Sequence, residues 1–213
     1  MSKIELKLIN MKDIEVKEVE WLWKPYIPSG KITILQGDPG EGKTTMILAV
    51  ASSLTTGSAL PLMDAIDISR VIYQTAEDGL GDTIKPRLLS TGAECSNIIV
   101  IDESEKELTL SDERIERAII ETGAKLVIID PLQAYLGAKV DMHRVNEIRP
   151  IFKNLAFVAE KTGCAIVVVG HMNKSGGSKG MYRGLGSIDI SAAARSVLVV
   201  GRVKDDPNIR IMA

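Results

Sequence analysis

Six short runs of aliphatic and β-branched residues recur along the chain, at 31–36, 70–75, 97–101, 125–129, 165–170 and 196–200. They are nearly continuous in Val, Ile and Leu rather than alternating with polar residues. That pattern predicts strands buried on both faces of a sheet. Between them, apolar positions spaced three and four apart predict helices over 44–56, 80–91, 111–122 and 145–161. Ser111 is the expected N-cap of the third, and Gly92, Gly123 and Gly163 stand where helices should end. In the fourth, Val145, Ile148, Phe152, Leu155, Val158 and Ala159 form one core-facing stripe. Strand alternating with helix predicts an α/β fold, a doubly wound and mostly parallel sheet with helices on both faces. Residues 1–29 read as a lead-in, in which Trp21, Trp23, Pro25 and Tyr26 cluster before the first strand. Packing against the domain is the expected role of that cluster, with stacking on a nucleotide base as the alternative. Residues 30–213 form the domain itself. At its far end a strand, an Asp-Asp-Pro-Asn turn (205–208) and a second strand from Ile209 are expected. The sequence stops within that second strand, so the natural chain is expected to continue past Ala213.

Composition changes this picture little. The 213 residues are 45% hydrophobic and 25% charged, with a net charge of −2. This is ordinary globular composition, and any polyanionic partner must meet a local basic patch. The two cysteines, Cys95 and Cys164, are too few for a disulfide framework and read as small core residues. No apolar run spans a bilayer and the N-terminus lacks a signal pattern, which together predict a cytoplasmic protein with no membrane partner.

The chemistry is carried by loops that follow the strands. "GDPGEGKT", Gly37 to Thr44, fits G-x-x-x-x-G-K-[ST] between a strand and a helix. Glycines let successive backbone N–H groups turn inward toward phosphate oxygens, with the helix N-terminus behind them. Gly37, Asp38, Pro39, Gly40, Glu41, Gly42, Lys43, Thr44 and Thr45 are therefore the candidate phosphate cradle. Lys43 would reach the β- and γ-phosphates, and the Thr44 hydroxyl would bind Mg²⁺. The motif calls for a nucleoside triphosphate and favours no base; ATP is the commoner choice.

Three further strand ends refine the reading. "LVIIDP" closes a buried strand with Asp130, a carboxylate placed to hold Mg²⁺ through its water shell. "VIYQTAEDG" ends in Glu77 and Asp78. Glu77 is the candidate base for an attacking water and Asp78 the candidate helix cap. "VVVGHMNKSGG" brings His171 and Asn173 to another strand end, where they could read the γ-phosphate. From His171 to Ile188 there is no acidic residue, but there are Lys174, Lys179, Arg183 and several glycines. A long cationic loop of this kind suits contact with a nucleic-acid backbone. A weaker basic cluster, Lys139, His143 and Arg144, could face a pore or a neighbouring subunit.

Taken together, "GDPGEGKTT", "VIYQTAEDG", "LVIIDPLQAYLG", "DMHRVNEIRP", "TGCAIVVVGHMNKSGG" and "YRGLGSIDISAAARSVLVVGR" resemble the RecA-like ATPases. Within these, the chain resembles the hexameric replicative helicases of the plasmid-encoded kind and their phage relatives. The resemblance implies a sensor strand lying between the P-loop strand and the strand of the metal-side Asp. It implies Lys43 and Thr44 on phosphate and Mg²⁺, Glu77 as catalytic carboxylate, Asp130 at the metal, and His171 with Asn173 as sensor. It also implies a homo-oligomeric ring acting on single-stranded DNA, with Arg202 supplied in trans to the neighbour's site and Arg195 as second choice. The competing expectations are a recombination or loader ATPase that does not unwind, a P-loop kinase, and an ATP-binding signalling module.

Overall fold

The computed structural model describes residues 6–138, 140–142, 144–172 and 188–213. A short antiparallel ribbon, β1 (Trp21–Trp23) and β2 (Ile27–Pro28), precedes the main sheet. Then come β3 (Ile32–Gly37), α1 (Lys43–Thr56), β4 (Val71–Thr75), α2 (Lys85–Ser90), β5 (Ile98–Ile99), α3 (Arg114–Thr122) and β6 (Leu126–Asp130). The chain continues through α4 (Val145–Thr162), β7 (Ala165–His171), α5 (Ile188–Ala193), β8 (Ser196–Val203) and β9 (Asp206–Met212). Among the described residues, seven strands form one sheet in the order β5-β4-β6-β7-β3-β8-β9. All neighbours are parallel except β8 and β9. The strand carrying His171 thus lies between the strand of the phosphate loop and the strand of Asp130, as the resemblance implies.

Both faces of the sheet are covered, which explains the unbroken apolar runs. In β6, Val127 and Ile129 enter a core with α3, α4 and α5, while Leu126 and Ile128 enter the opposite core with α1 and α2. In β7, Ile166 and Val168 divide from Val167 and Val169 in the same way. Fully burying each such side chain contributes roughly 1.5–3 kcal/mol before chain entropy is counted. The aromatic cluster packs as expected. Trp23 is buried, donates its indole N–H to the Pro61 carbonyl at 2.9 Å, and stacks obliquely on Tyr26 at 4.7 Å.

The structure corrects several local expectations. Ser111 does not cap α3. Asp112 accepts the Arg114 backbone N–H at 3.0 Å instead, and the helix begins at Arg114. The 80–91 segment is not one α-helix, because a π-turn over Leu80–Ile84 leads into a short α2. Val145 stands exposed at the start of α4, and Ile151 takes a place in the core stripe. The last hairpin turns at Lys204 and Asp205, so β9 starts at Asp206, earlier than the Pro-Asn pair suggests. Cys164 is buried, and burial pushes its thiol up to about 12; Cys95 is only half-buried. Among the described residues no helix is long and apolar enough to cross a membrane.

Candidate nucleotide site

The site sits at the C-terminal ends of β3, β4, β6 and β7, the edge where open parallel sheets bind ligands. The phosphate loop leaves β3 at Gly37 and enters α1 at Lys43. Gly42, with φ of 93°, lies in the left-handed region that a Cβ would strain. Gly37 has a different reason to be glycine. A Cβ there would stand 2.3 Å from the Val200 carbonyl oxygen of β8.

Lys43 is buried and donates from Nζ to the carbonyls of Gly37 and Asp38, both at 2.9 Å. Burial lowers its pKa, while Asp130, Asp38, Glu41 and Glu77 oppose that shift and favour the charged ammonium. One residue on, the Thr44 hydroxyl donates to Asp130 Oδ2 at 2.8 Å. Thr45 is exposed on the first turn of α1.

Asp130 is buried at the end of β6. It also accepts the Tyr73 phenol at 3.3 Å, from the adjacent strand β4. Desolvation raises the Asp130 pKa, and the two hydroxyl donors pull it back toward the carboxylate form. Hydroxyl and carboxylate oxygens within hydrogen-bonding distance are a hard donor set that suits Mg²⁺. Tyr73 is a site residue that sequence reasoning missed. Its signal was the period-two alternation that puts Tyr73 and Thr75 on one face of β4.

Glu77 follows β4, whose last residue Thr75 is in register with Asp130. His171 ends β7 in register with Gly37. Across this gap His171 Nε2 stands 3.8 Å from Glu77 Oε2, an ion pair when the imidazole is protonated. Asp78 is not a helix cap. Its carboxylate accepts from Arg87 Nη1 at 2.9 Å, and Thr75 Oγ1 accepts its backbone N–H at 3.4 Å. These contacts fix the turn that carries Glu77 and leave its carboxylate for the site.

The resemblance implies that Arg202 serves a neighbouring subunit; within the single chain it rests on its own phosphate loop. Its Nη2 donates to the Gly40 carbonyl at 2.8 Å, and its Nε is 3.6 Å from Glu41 Oε2. Arg195 is exposed just before β8. The structure thus brings Lys43, Thr44, Glu77, Asp130 and His171 to one edge of the sheet, with Arg202 on the outside of the loop. Asn173, Lys174, Lys179 and Arg183 lie outside the described residues, as do Lys139 and His143.

Comparison with known sequences gives the family. Residues 4–177 match the AAA_25 family, an AAA domain. The chain belongs to the AAA_25 family. It is a RecA-like P-loop ATPase domain, a family that implies nucleotide binding. Its relatives include the DNA repair protein RadA of Halalkalibacterium halodurans, 28% identical over 183 residues, or 84% of this chain and 36% of that protein. RadA of Bacillus subtilis is 26% identical over 156 residues, 72% of this chain and 30% of its own. RadA of Mycolicibacterium smegmatis is 26% identical over 171 residues, 78% of this chain and 33% of its own. The chain spans about a third of the length of these curated relatives.

Proposed function

We propose that this domain hydrolyses ATP and couples the reaction to work on single-stranded DNA, as part of a homo-oligomeric, hexameric ring with helicase or related replication activity. The observation that carries the hydrolytic part is the Glu77–His171 pair beside Thr44 and the buried Lys43 and Asp130. A P-loop alone serves kinases, motors and switches alike. The Glu77 carboxylate just past β4 adds a group able to orient and deprotonate water, which a phosphotransferase to another acceptor does not need.

In this reading the loop amides and Lys43 bind the β- and γ-phosphates. Thr44 and Asp130 would hold Mg²⁺, which neutralises charge on the phosphates when bound. Tyr73 keeps Asp130 oriented. Glu77 accepts the proton of the attacking water, and His171, next to both Glu77 and Gly37, senses whether the γ-phosphate is present. Asn173 belongs to the same sensor. Lys174, Lys179 and Arg183 are proposed to contact the DNA backbone. DNA as partner is supported by the RadA relatives, whose names place them in DNA repair. That also keeps a recombination or loader ATPase without unwinding as the second reading.

The test is Glu77→Gln. It should keep ATP affinity within about twofold and lower turnover by roughly 10²–10⁴. Near-wild-type turnover in this variant would remove Glu77 from the chemistry.

A further inference from the structure

The hairpin of β8 and β9 lies against the phosphate loop at three successive points. At the first, the Val200 carbonyl fills the space a side chain on Gly37 would need. At the second, Arg202 holds the Gly40 carbonyl at 2.8 Å. At the third, Arg210, in register with Arg202 on β9, comes within 3.8 Å of where a Cβ on Gly42 would be. The middle contact has the most chemical content. Glu41 Oε2 is buried and accepts no hydrogen bond among the described residues, so the Arg202 charge at 3.6 Å compensates it.

The peptide between Gly40 and Glu41 is planar, with its C=O and N–H pointing in opposite directions. A guanidinium that fixes the Gly40 carbonyl outward therefore fixes the Glu41 N–H inward. In the structure that N–H is held within the loop by a long bond to the Asp38 carbonyl, at 3.3 Å, which a phosphate oxygen would replace. The inward amides are the groups that bind phosphate in a loop of this kind.

Resting on the nucleotide-site reading above, we infer that Arg202 is a positioning residue acting in cis: with Glu41 it locks the Gly40–Glu41 peptide so that the loop presents its amides to the triphosphate. This departs from a role on a neighbour's site, because the contact is made within one chain and needs no assembly.

The test is calorimetric titration of the full chain with a non-hydrolysable ATP analogue, at concentrations where light scattering gives monomer mass. Arg202→Ala should weaken binding about tenfold, the effect of losing one charge-assisted hydrogen bond. Arg202→Lys, which keeps charge but cannot span both partners, should fall in between. Glu41→Gln should add little on top of Arg202→Ala, because the two act as one unit. Equal affinity of wild type and Arg202→Ala at monomer mass would overturn the inference. So would recovery of ATP turnover on mixing Arg202→Ala with Lys43→Ala, since only an arginine donated in trans could rebuild a site there. Failure of the wild-type chain to bind the analogue at all would instead sink the nucleotide-site reading.

Discussion

At the scale of single residues, the glycines of the loop are held by two different constraints. Gly42 is needed for its backbone angle, and Gly37 for the close passage of β8 behind it. The second constraint gives a clear prediction. Gly37→Ala places a methyl group into the Val200 carbonyl, and two packed backbones must separate. The expected cost is roughly 1–3 kcal/mol of stability, with nucleotide affinity falling as well, measured by urea denaturation and by titration. Unchanged stability would mean that β8 does not press on the loop. Lys43, Thr44, Glu77, Asp130 and His171 were legible in the sequence because each follows a strand that the hydrophobic pattern defines. Tyr73 and the cis contact of Arg202 were not. Both depend on which strands become neighbours, and strand order is not written in local periodicity.

At the scale of elements, the long or strongly patterned strands and helices were legible, whereas β5 shrank to two residues and the 80–91 helix to the short α2. The edges of elements were not legible. At α3 three polar residues, Ser111, Asp112 and Glu113, precede the helix; Glu113 holds the N-cap position without a side-chain bond, and the Asp112 carboxylate instead takes the Arg114 N–H because it also clamps the Arg114 guanidinium. Asp112 accepts from the Arg114 backbone N–H, from Nε at 3.1 Å and from Nη2 at 3.0 Å, with Lys106 at 3.3 Å. Arg114 in turn donates to the carbonyls of Asp102, Lys106 and Glu107, which ties the 102–107 loop to the helix. The guanidinium bonds hold the Asp112 carboxyl far below the usual range. A carboxyl depressed in the folded state stabilises the protein above its unfolded pKa of about 3.9, and that contribution is lost as pH falls toward the folded value. Asp112→Asn should therefore lower Tm by roughly 2–6 °C at pH 7, and the gap from wild type should narrow below about pH 4. A gap that stays constant down to pH 3 would show that the charge is not what matters.

At the scale of the whole molecule, one sheet gathers the chemistry at one edge. The order β4-β6-β7-β3-β8 sets the candidate base, the metal-side carboxylate, the sensor, the phosphate loop and the arginine on adjacent strands. Each group sits where its strand ends, so a movement of one strand end changes its neighbour's site. The sequence pattern announced an α/β sheet covered on both faces, and the resemblance to RecA-like ATPases placed the sensor strand β7 between β3 and β6 but left the other neighbours open. Assembly and the proposed DNA contact concern surfaces that a single chain's hydrophobic pattern does not specify.

The most direct test of the account is steady-state ATP hydrolysis by this chain over a range of protein concentrations, with and without single-stranded DNA, with particle mass followed in parallel. Hydrolysis is expected to be stimulated by single-stranded DNA and to rise as the mass grows from monomer toward a ring. Hydrolysis that neither DNA nor assembly alters would contradict the proposed motor, leaving a nucleotide-binding RecA-like domain of another use.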